Sequence, residues 1–420
     1  MKKTILNDDV LNKIHDLKKT DILVGIPSFN NAATIGHVVR AVQAGLSKYF
    51  PDRKAVIVNS DGGSTDQTVQ TVQDAAIDDF ESILVTHQKE PALKITTPYH
   101  GIPGKGSAFR TIFSVADLLQ AKACIVVDSD LRSITPEWVE LLVKPVLRGD
   151  FDFVAPLYLR HKYDGTITNS IVYPLTRALY GKQVRQPIGG DFGFSGELAS
   201  FYLAKDVWDT DVARYGIDIW MTTTAIANDY RICQSFLGAK IHDAKDPGAD
   251  LSAMLYQVVG AAFDLMEDYP KEWETVTASK PIPTFGFRYA VGLEPVAVNI
   301  QRMIERFRLG VRELIDIWGK FLPRKVIVYL LWVAELPETE FSFSDEAWAG
   351  IIYSFALAAH TRVINREHLL KALTPLYIGR TASFVKETIE SDAAQVEEKI
   401  EELCRLFESK KHILCENWQI

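Results

Sequence analysis

The stretch "ACIVVDSD" (Ala123–Asp130) is an unbroken apolar run that ends in two aspartates one residue apart. An apolar run this short, closed by turn formers, reads as a strand buried on both faces, which is the habit of parallel sheets covered by helices. Working outward, "DILVGIPSFN" (Asp21–Asn30) and "KAVIVNSDGGSTDQT" (Lys54–Thr68) repeat the pattern, each an apolar run giving way to polar turn residues. The first is followed by Ile35, Val38, Val39 and Val42 at helical spacing, the second by Thr65 or Asp66 as an N-cap. "ESILVT" (Glu81–Thr86) reads as a further strand and "GSAFRTIFSVADLLQ" (Gly106–Gln120) as a helix. Strands alternating with helices predict an α/β fold with a mostly parallel sheet. Ligands then bind outside the carboxyl ends of the strands, where Pro27–Asn30, Asn59–Gly63 and Asp128–Asp130 all fall.

At 420 residues the chain exceeds what one core usually supports, and a second domain is expected. The unpatterned "ASKPIPTFGFRY" (Ala278–Tyr289) suggests a boundary, giving a catalytic domain over 1–285, with a leading helix over 1–20, and a helical C-terminal domain over 286–420. A net charge of −8 argues against a general affinity for nucleic acid or anionic membrane. The longest apolar run, Val326–Ala334, is about half of the ~20 residues that a bilayer requires. Four scattered cysteines without a CxxC pair suggest neither a disulfide framework nor a thiolate zinc site, so a cytoplasmic setting is expected.

Two aspartates after a strand are often no more than turn formers. At a ligand edge they also offer hard oxygens suited to Mg²⁺ or Mn²⁺ bridging a diphosphate. Asp61 points to the same crevice, and Gly104 and Gly106 flank Lys105 in "GIPGKGSAF" (Gly101–Phe109), where the backbone can approach a ligand and the lysine can meet a phosphate.

"PSFNNAATIGHVV", "VNSDGGSTDQT" and "VDSDL", in that order, resemble the nucleotide-sugar half of a GT-A glycosyltransferase, the Rossmann-like nucleotide-diphospho-sugar transferase fold. The PGKG segment followed by DSD is similar to glucosyl-3-phosphoglycerate synthases and mannosylglycerate synthases, retaining enzymes that glycosylate glycerate or its 3-phosphate. The resemblance implies a donor site of Pro27, Ser28, Asn30, Asp61, Gly104, Lys105, Asp128, Ser129, Gly189 and Gly190. It makes Asp191 in "QPIGGDFGFSGEL" the acid facing the donor sugar, and Asp218 in "RYGIDIW" the acid near donor and acceptor hydroxyls, with Lys105 as the third catalytic group. Asp130 and His242 become the protein ligands of a divalent cation. The acceptor segment carries Thr168, Asn169 and Arg177 but lacks the GGGR of phosphoglycerate users, which leaves glycerate as acceptor beside 3-phosphoglycerate, with Arg160, His161 and Lys162 in reserve for a phosphate. "TPLYIGRTASF" places Arg380 either near the crevice or between helices, and the second, structural reading is preferred.

The expected function is transfer of glucose or mannose from a nucleotide-diphosphate sugar to a small hydroxy acid with retention, without nucleic acid or membrane partners and with a homodimer left open. The rival readings are an inverting GT-A enzyme acting on a polysaccharide or glycan acceptor with Asp191 as base, and a non-enzymatic nucleotide-sugar-binding subunit.

Overall fold

A computed structural model describes residues 5–75, 92–99, 102–241, 252–289, 292–293 and 296–418. The chain divides into two compact units, one of Met1–Leu159, Ile188–Asp243 and Ile282–Leu293, the other of Arg160–Pro187, Ala244–Pro281 and Glu294–Ile420. In this division the chain passes between the units several times. The physical reason is apolar: segments upstream of the C-terminal helices present buried faces that those helices cover.

The first unit holds β1 (Ile22–Ser28), β2 (Ala55–Asp61), β3 (Leu93–Pro98), β4 (Ala123–Val126), β5 (Phe153–Leu159), β7 (Phe192–Ser195), β8 (Ile232–Ala239) and β10 (Thr284–Phe285). The second unit contributes β6 (Lys182–Gln183) and β9 (Lys280–Pro281), which pair with each other. The large sheet runs β10-β8-β5-β7-β4-β1-β2-β3. Its ladders are parallel except around β7, which is antiparallel to both β4 and β5. Consequently β7 begins at the edge where its neighbours end.

Helices α1 (Asp8–Leu17), α2 (Ala32–Tyr49), α3 (Thr68–Asp74), α4 (Lys105–Leu118), α5 (Pro136–Leu147), α7 (Gly196–Leu203) and α8 (Ile217–Ala227) belong to the first unit, and α6 (Tyr173–Tyr180) to the second. On one sheet face, Val38, Val39 and Val42 of α2 and Trp138, Val139 and Leu142 of α5 cluster with Ile22, Val24, Ile57 and Ile125. Elsewhere in this unit, Phe113 of α4 sits fully buried, its ring centroid 5.4 Å from Phe194, 5.6 Å from Tyr202 and 6.1 Å from Trp208. Thr65 and Asp66 do not cap α3, which starts later, after Gln67. Asp66 instead accepts from the Thr68 backbone N–H at 3.0 Å, closing the turn before the helix. The expected strand at 81–86 lies outside the described residues, and β3 is a strand that the sequence reading did not anticipate.

The second unit comprises a π-helical turn, Thr168–Val172, then α6, α9 (Ser252–Asp268), α10 (Pro270–Glu274), α11 (Ile300–Trp318), α12 (Arg324–Glu335), α13 (Asp345–His360), α14 (Arg366–Thr388) and α15 (Ala393–Asn417). The stripe of Val396, Ile400, Leu403 and Phe407 on α15 is buried, as its spacing predicts. Its start is fixed by a capping box, Asp392 with Gln395. Among the described residues, no helix is long and apolar enough to cross a membrane.

Replacing Phe113 by Ala should lower the unfolding free energy by about 3–5 kcal/mol, the usual result of emptying an aromatic core position. Urea unfolding checks this, and a change below about 1 kcal/mol would mean that the cluster is not packed as described.

Candidate active site

Parallel pairing carries the ends of β1, β2 and β4 to one edge. Ser28 lies opposite Asp61, and Val127, one residue past β4, donates its N–H to Gly25 at 3.0 Å, which sets Asp128 and Asp130 just beyond. Asp61 is buried, and its carboxylate is engaged by its own turn: the Ser28 hydroxyl donates at 2.9 Å, the Gly63 and Ser64 N–H groups at 2.9 and 2.8 Å, and the Ser64 hydroxyl at 2.6 Å. Asn30, in the left-handed region (φ 53°), accepts from the Thr65 N–H at 2.8 Å. The Ser129 hydroxyl donates to Asn31 at 2.8 Å, and the Ser129 carbonyl accepts from Thr34 at 2.8 Å. The three strand-end loops are thus stitched together before any ligand arrives. Pro27 and Ser28 are buried and Asn30 is exposed at the rim.

Asp128 is the hub. Its Oδ1 lies 2.8 Å from Lys105 Nζ and its Oδ2 lies 2.7 Å from Lys240 Nζ. Lys105, the first residue of α4, also reaches Asp218 at 3.2 Å, and Asp218 stands in the first turn of α8. Lys240 follows β8 and is fixed by Asp191 at 2.8 Å and the Gly189 carbonyl at 2.8 Å. Burial raises the proton affinity of Asp128, but Lys105 and Lys240 outweigh it and hold the carboxyl well below the ordinary range. Burial works against the charge on Lys105 too, and the carboxylates of Asp128 and Asp218 reverse that, so the ammonium is held well above its usual value. Asp218 is raised, because burial there exceeds the pull of Lys105. Its Oδ1 is buried with no hydrogen-bond partner among the described residues. An unpartnered buried carboxylate oxygen beside two cations is a place for a ligand hydroxyl or cation.

Three expectations change here. Asp191 was expected to face the donor sugar; it is fully buried, its Oδ1 accepting from the Asp128 N–H at 2.8 Å and its Oδ2 taken by Lys240 and the Tyr158 hydroxyl. It positions the hub and has no free edge for a base. The glycines around Lys105 were expected to admit a ligand; a Cβ at Gly106 would lie 1.8 Å from the Val212 carbonyl oxygen and one at Gly104 2.6 Å from that of Ala213, so they admit the chain itself. Arg177, expected at the acceptor, pairs within the second unit with Glu401 and, at 2.8 Å, with Glu408. Its charge is already met. Thr168 and Asn169 belong to that unit's π-helical turn.

Lys240 and Tyr158 are the participants that the sequence reading missed. Lys240 stands two residues before His242, and its role appears only once β8 and the reversed β7 bring Ala239 and Asp191 to the same edge. His242 lies outside the described residues. Within them, no three carboxylate, imidazole or thiolate side chains form a metal-holding group. The oxygen donors present at this edge, Asp130 and the open atom of Asp218 included, are of the hard type that Mg²⁺ and Mn²⁺ take.

Residues 23–207 match the profile described as glycosyl transferase family 2. The chain carries a glycosyltransferase domain. Glucosyl-3-phosphoglycerate synthase of Mycolicibacterium paratuberculosis is 28% identical over 258 residues, spanning 57% of this chain and 70% of that protein. Two crystal structures of glucosyl-3-phosphoglycerate synthase from Mycobacterium tuberculosis are also similar. The first, with Mn²⁺, UDP and glucosyl-3-phosphoglycerate, is 25% identical and covers 60% of this chain and 83% of its own, with a TM-score of 0.45. The second, with Mn²⁺, UDP-glucose and phosphoglyceric acid, is 23% identical and covers 64% and 85%, with a TM-score of 0.44. The protein is a nucleotide-sugar-dependent glycosyltransferase of GT-A architecture that resembles glucosyl-3-phosphoglycerate synthase. In this glycosyltransferase the DxD aspartates follow the central strand β4, and the PGKG lysine opens α4 beside them.

Gly190 (φ +90°) is held against the hub, where a Cβ would meet Asp128 Oδ2 at 2.4 Å. Gly190→Ala should therefore cost about 1–3 kcal/mol of stability and weaken nucleotide-sugar binding. Gly149→Ala, at φ +74° with open space around it, should leave donor affinity unchanged. Equal donor affinity in both variants, measured by calorimetry, would contradict the placement of Gly190 at the hub.

Proposed function

We propose that this glycosyltransferase moves a hexose, glucose or mannose, from a nucleotide-diphosphate sugar to D-glycerate or 3-phosphoglycerate with retention of anomeric configuration. The observation that supports it most is the Lys105–Asp128–Lys240 cluster with the unpartnered oxygen of Asp218 beside it. Lys105 and Lys240 are matched by Asp128, Asp191 and Asp218, so a diphosphate at this edge calls for the added positive charge of a divalent cation, which the carboxylates favour. The likeness to a glucosyl-3-phosphoglycerate synthase points to the acceptor class.

In this reading Asp130 and His242 would hold a divalent cation, which would supply positive charge against that growing on the departing diphosphate. Lys105 adds a preorganised positive charge from the chain itself. Asp128, tied by two ammonium groups, stays ionised and keeps both lysines in place. Asp218 orients the acceptor hydroxyl with its open oxygen, and the proton passes to the leaving phosphate. A double displacement requires a carboxylate free to attack. Asp191, engaged by the Asp128 N–H, Lys240 and Tyr158, is ill suited to that role or to that of an inverting enzyme's base, which supports the retaining reading.

Glycerate is favoured over its phosphate. Arg177 is neutralised, Lys162 donates to the carbonyls of Thr388 and Ile389 at 2.7 and 2.8 Å, and burial lowers the pKa of His161. These groups have little left to give a dianion.

Nucleotide sugars should be screened against both acceptors with released nucleotide as readout, and the anomeric configuration of the product read by proton NMR. Retention with glycerate is expected; an inverted linkage, or turnover only on a glycan, would overturn the proposal. Asp218→Asn should keep donor affinity within about twofold while turnover falls by about 100-fold or more. His242→Ala should raise the metal concentration needed for half-maximal rate, and an unchanged metal curve would remove His242 from the ligand set. Because burial raises the pKa of Asp218, the acid limb of turnover should lie above the ordinary carboxylate range, and Asp218→Asn should abolish that limb.

A further inference from the structure

In the second unit, α12 turns apolar side chains to both of its sides. Val326, Leu330 and Val333 bury the inner side, while Val328, Leu331 and Trp332 stand 58%, 46% and 56% exposed on the outer side. At the helical rotation per residue these three fall in one stripe with Arg324 and Glu335, which are also exposed. The helix is held in place from within: the Tyr329 hydroxyl accepts from the Ser344 N–H at 2.7 Å, and Arg308 donates to the Ala334 carbonyl at 3.0 Å. A fixed apolar stripe in water favours burial, and little ordering opposes it.

The charges at its two ends say what covers it. The first turn of α12 holds Arg324 and Lys325 and no acid, and the last turn ends on Glu335 and holds no base. That is the reverse of what the dipole of a lone helix favours. An antiparallel copy of the same helix turns the mismatch into a match, because each basic N-terminus then meets an acidic C-terminus. The register closes as well. A twofold axis midway between positions 329 and 330 sets Arg324 against Glu335 of the second copy and Val328 against its Leu331, with Trp332 beside its half-buried Ile327. A single axis satisfies the apolar and the charged pairs together, as a contact between identical faces requires. An anionic membrane would ask for a basic rim at both ends, and Glu335 and Glu338 are exposed at one of them. We infer that α12 pairs with the α12 of a second copy of this chain, antiparallel about that axis, and so forms a homodimer. The inference is independent of the reaction proposed above. One helix face offers less than the ~1,600 Å² of a standard interface, so the pair forms at micromolar rather than nanomolar concentration.

Sedimentation of the full chain over about 1–200 μM tests it, at low salt, where surface charges are least screened. A monomer–dimer equilibrium that weakens as salt rises is expected. Trp332→Glu should raise the dissociation constant by about tenfold or more. Leu331→Ser should also raise it, and carries the test should Trp332→Glu fail to fold. Arg324→Glu alone and Glu335→Arg alone should each weaken the dimer, whereas the two together should restore it, because the charges are then exchanged on both sides of the axis. A monomer throughout, a dimer indifferent to the Trp332 and Leu331 variants, or a double exchange no better than the single ones would overturn the inference. Binding of a monomer to phosphatidylglycerol vesicles, lost with Trp332→Glu, would give the face to lipid and overturn it too.

Discussion

A carboxylate shared between two buried ammonium groups governs the first unit. Asp128 lies between Lys105, from the start of α4, and Lys240, from the end of β8. Neither lysine is adjacent to it in sequence, so their meeting depends on the strand order and on the reversed β7 that delivers Asp191 underneath. Breaking one member of a buried set leaves the others unpaired, at about 3–5 kcal/mol. The edge is therefore rigid where a diphosphate needs fixed charge, and among the described carboxylates around the hub the idle oxygen belongs to Asp218.

That arrangement sorts the acids by role. Asp61 and Asp191 spend their oxygens on the chain's own donors and shape the loops. Asp128 spends its oxygens on cations, which keeps it ionised. Asp218, among these four, combines burial, a raised pKa and an unpartnered atom. Four carboxylates at one sheet edge thus differ because their partners differ, and a ligand meets the one that has been left incomplete.

Much of this was legible in the residues. Apolar runs at the right length revealed β1, β2 and β4, and the polar residues that end them marked the edge. Lys105 and Asp218 were legible from their motifs, because each sits at a helix start close to glycine. Lys240 was not: "LGAKIH" carries no local sign that its lysine is buried, and only the register of β8 against β5 places it. Nor could spacing tell that Gly104 and Gly106 make room for the 212–213 backbone, since a tight turn at a ligand and one against the chain need the same residue. Arg177 misled for a similar reason, its partners Glu401 and Glu408 lying more than two hundred positions away.

The most direct test is a double-mutant cycle joining Asp128→Asn and Lys240→Met, read by urea unfolding near neutral pH. A shared buried charge predicts that the two losses couple by about 1.5 kcal/mol or more. Losses that add within about 0.5 kcal/mol would mean that the two side chains do not hold each other, and the account of the site would fail with them.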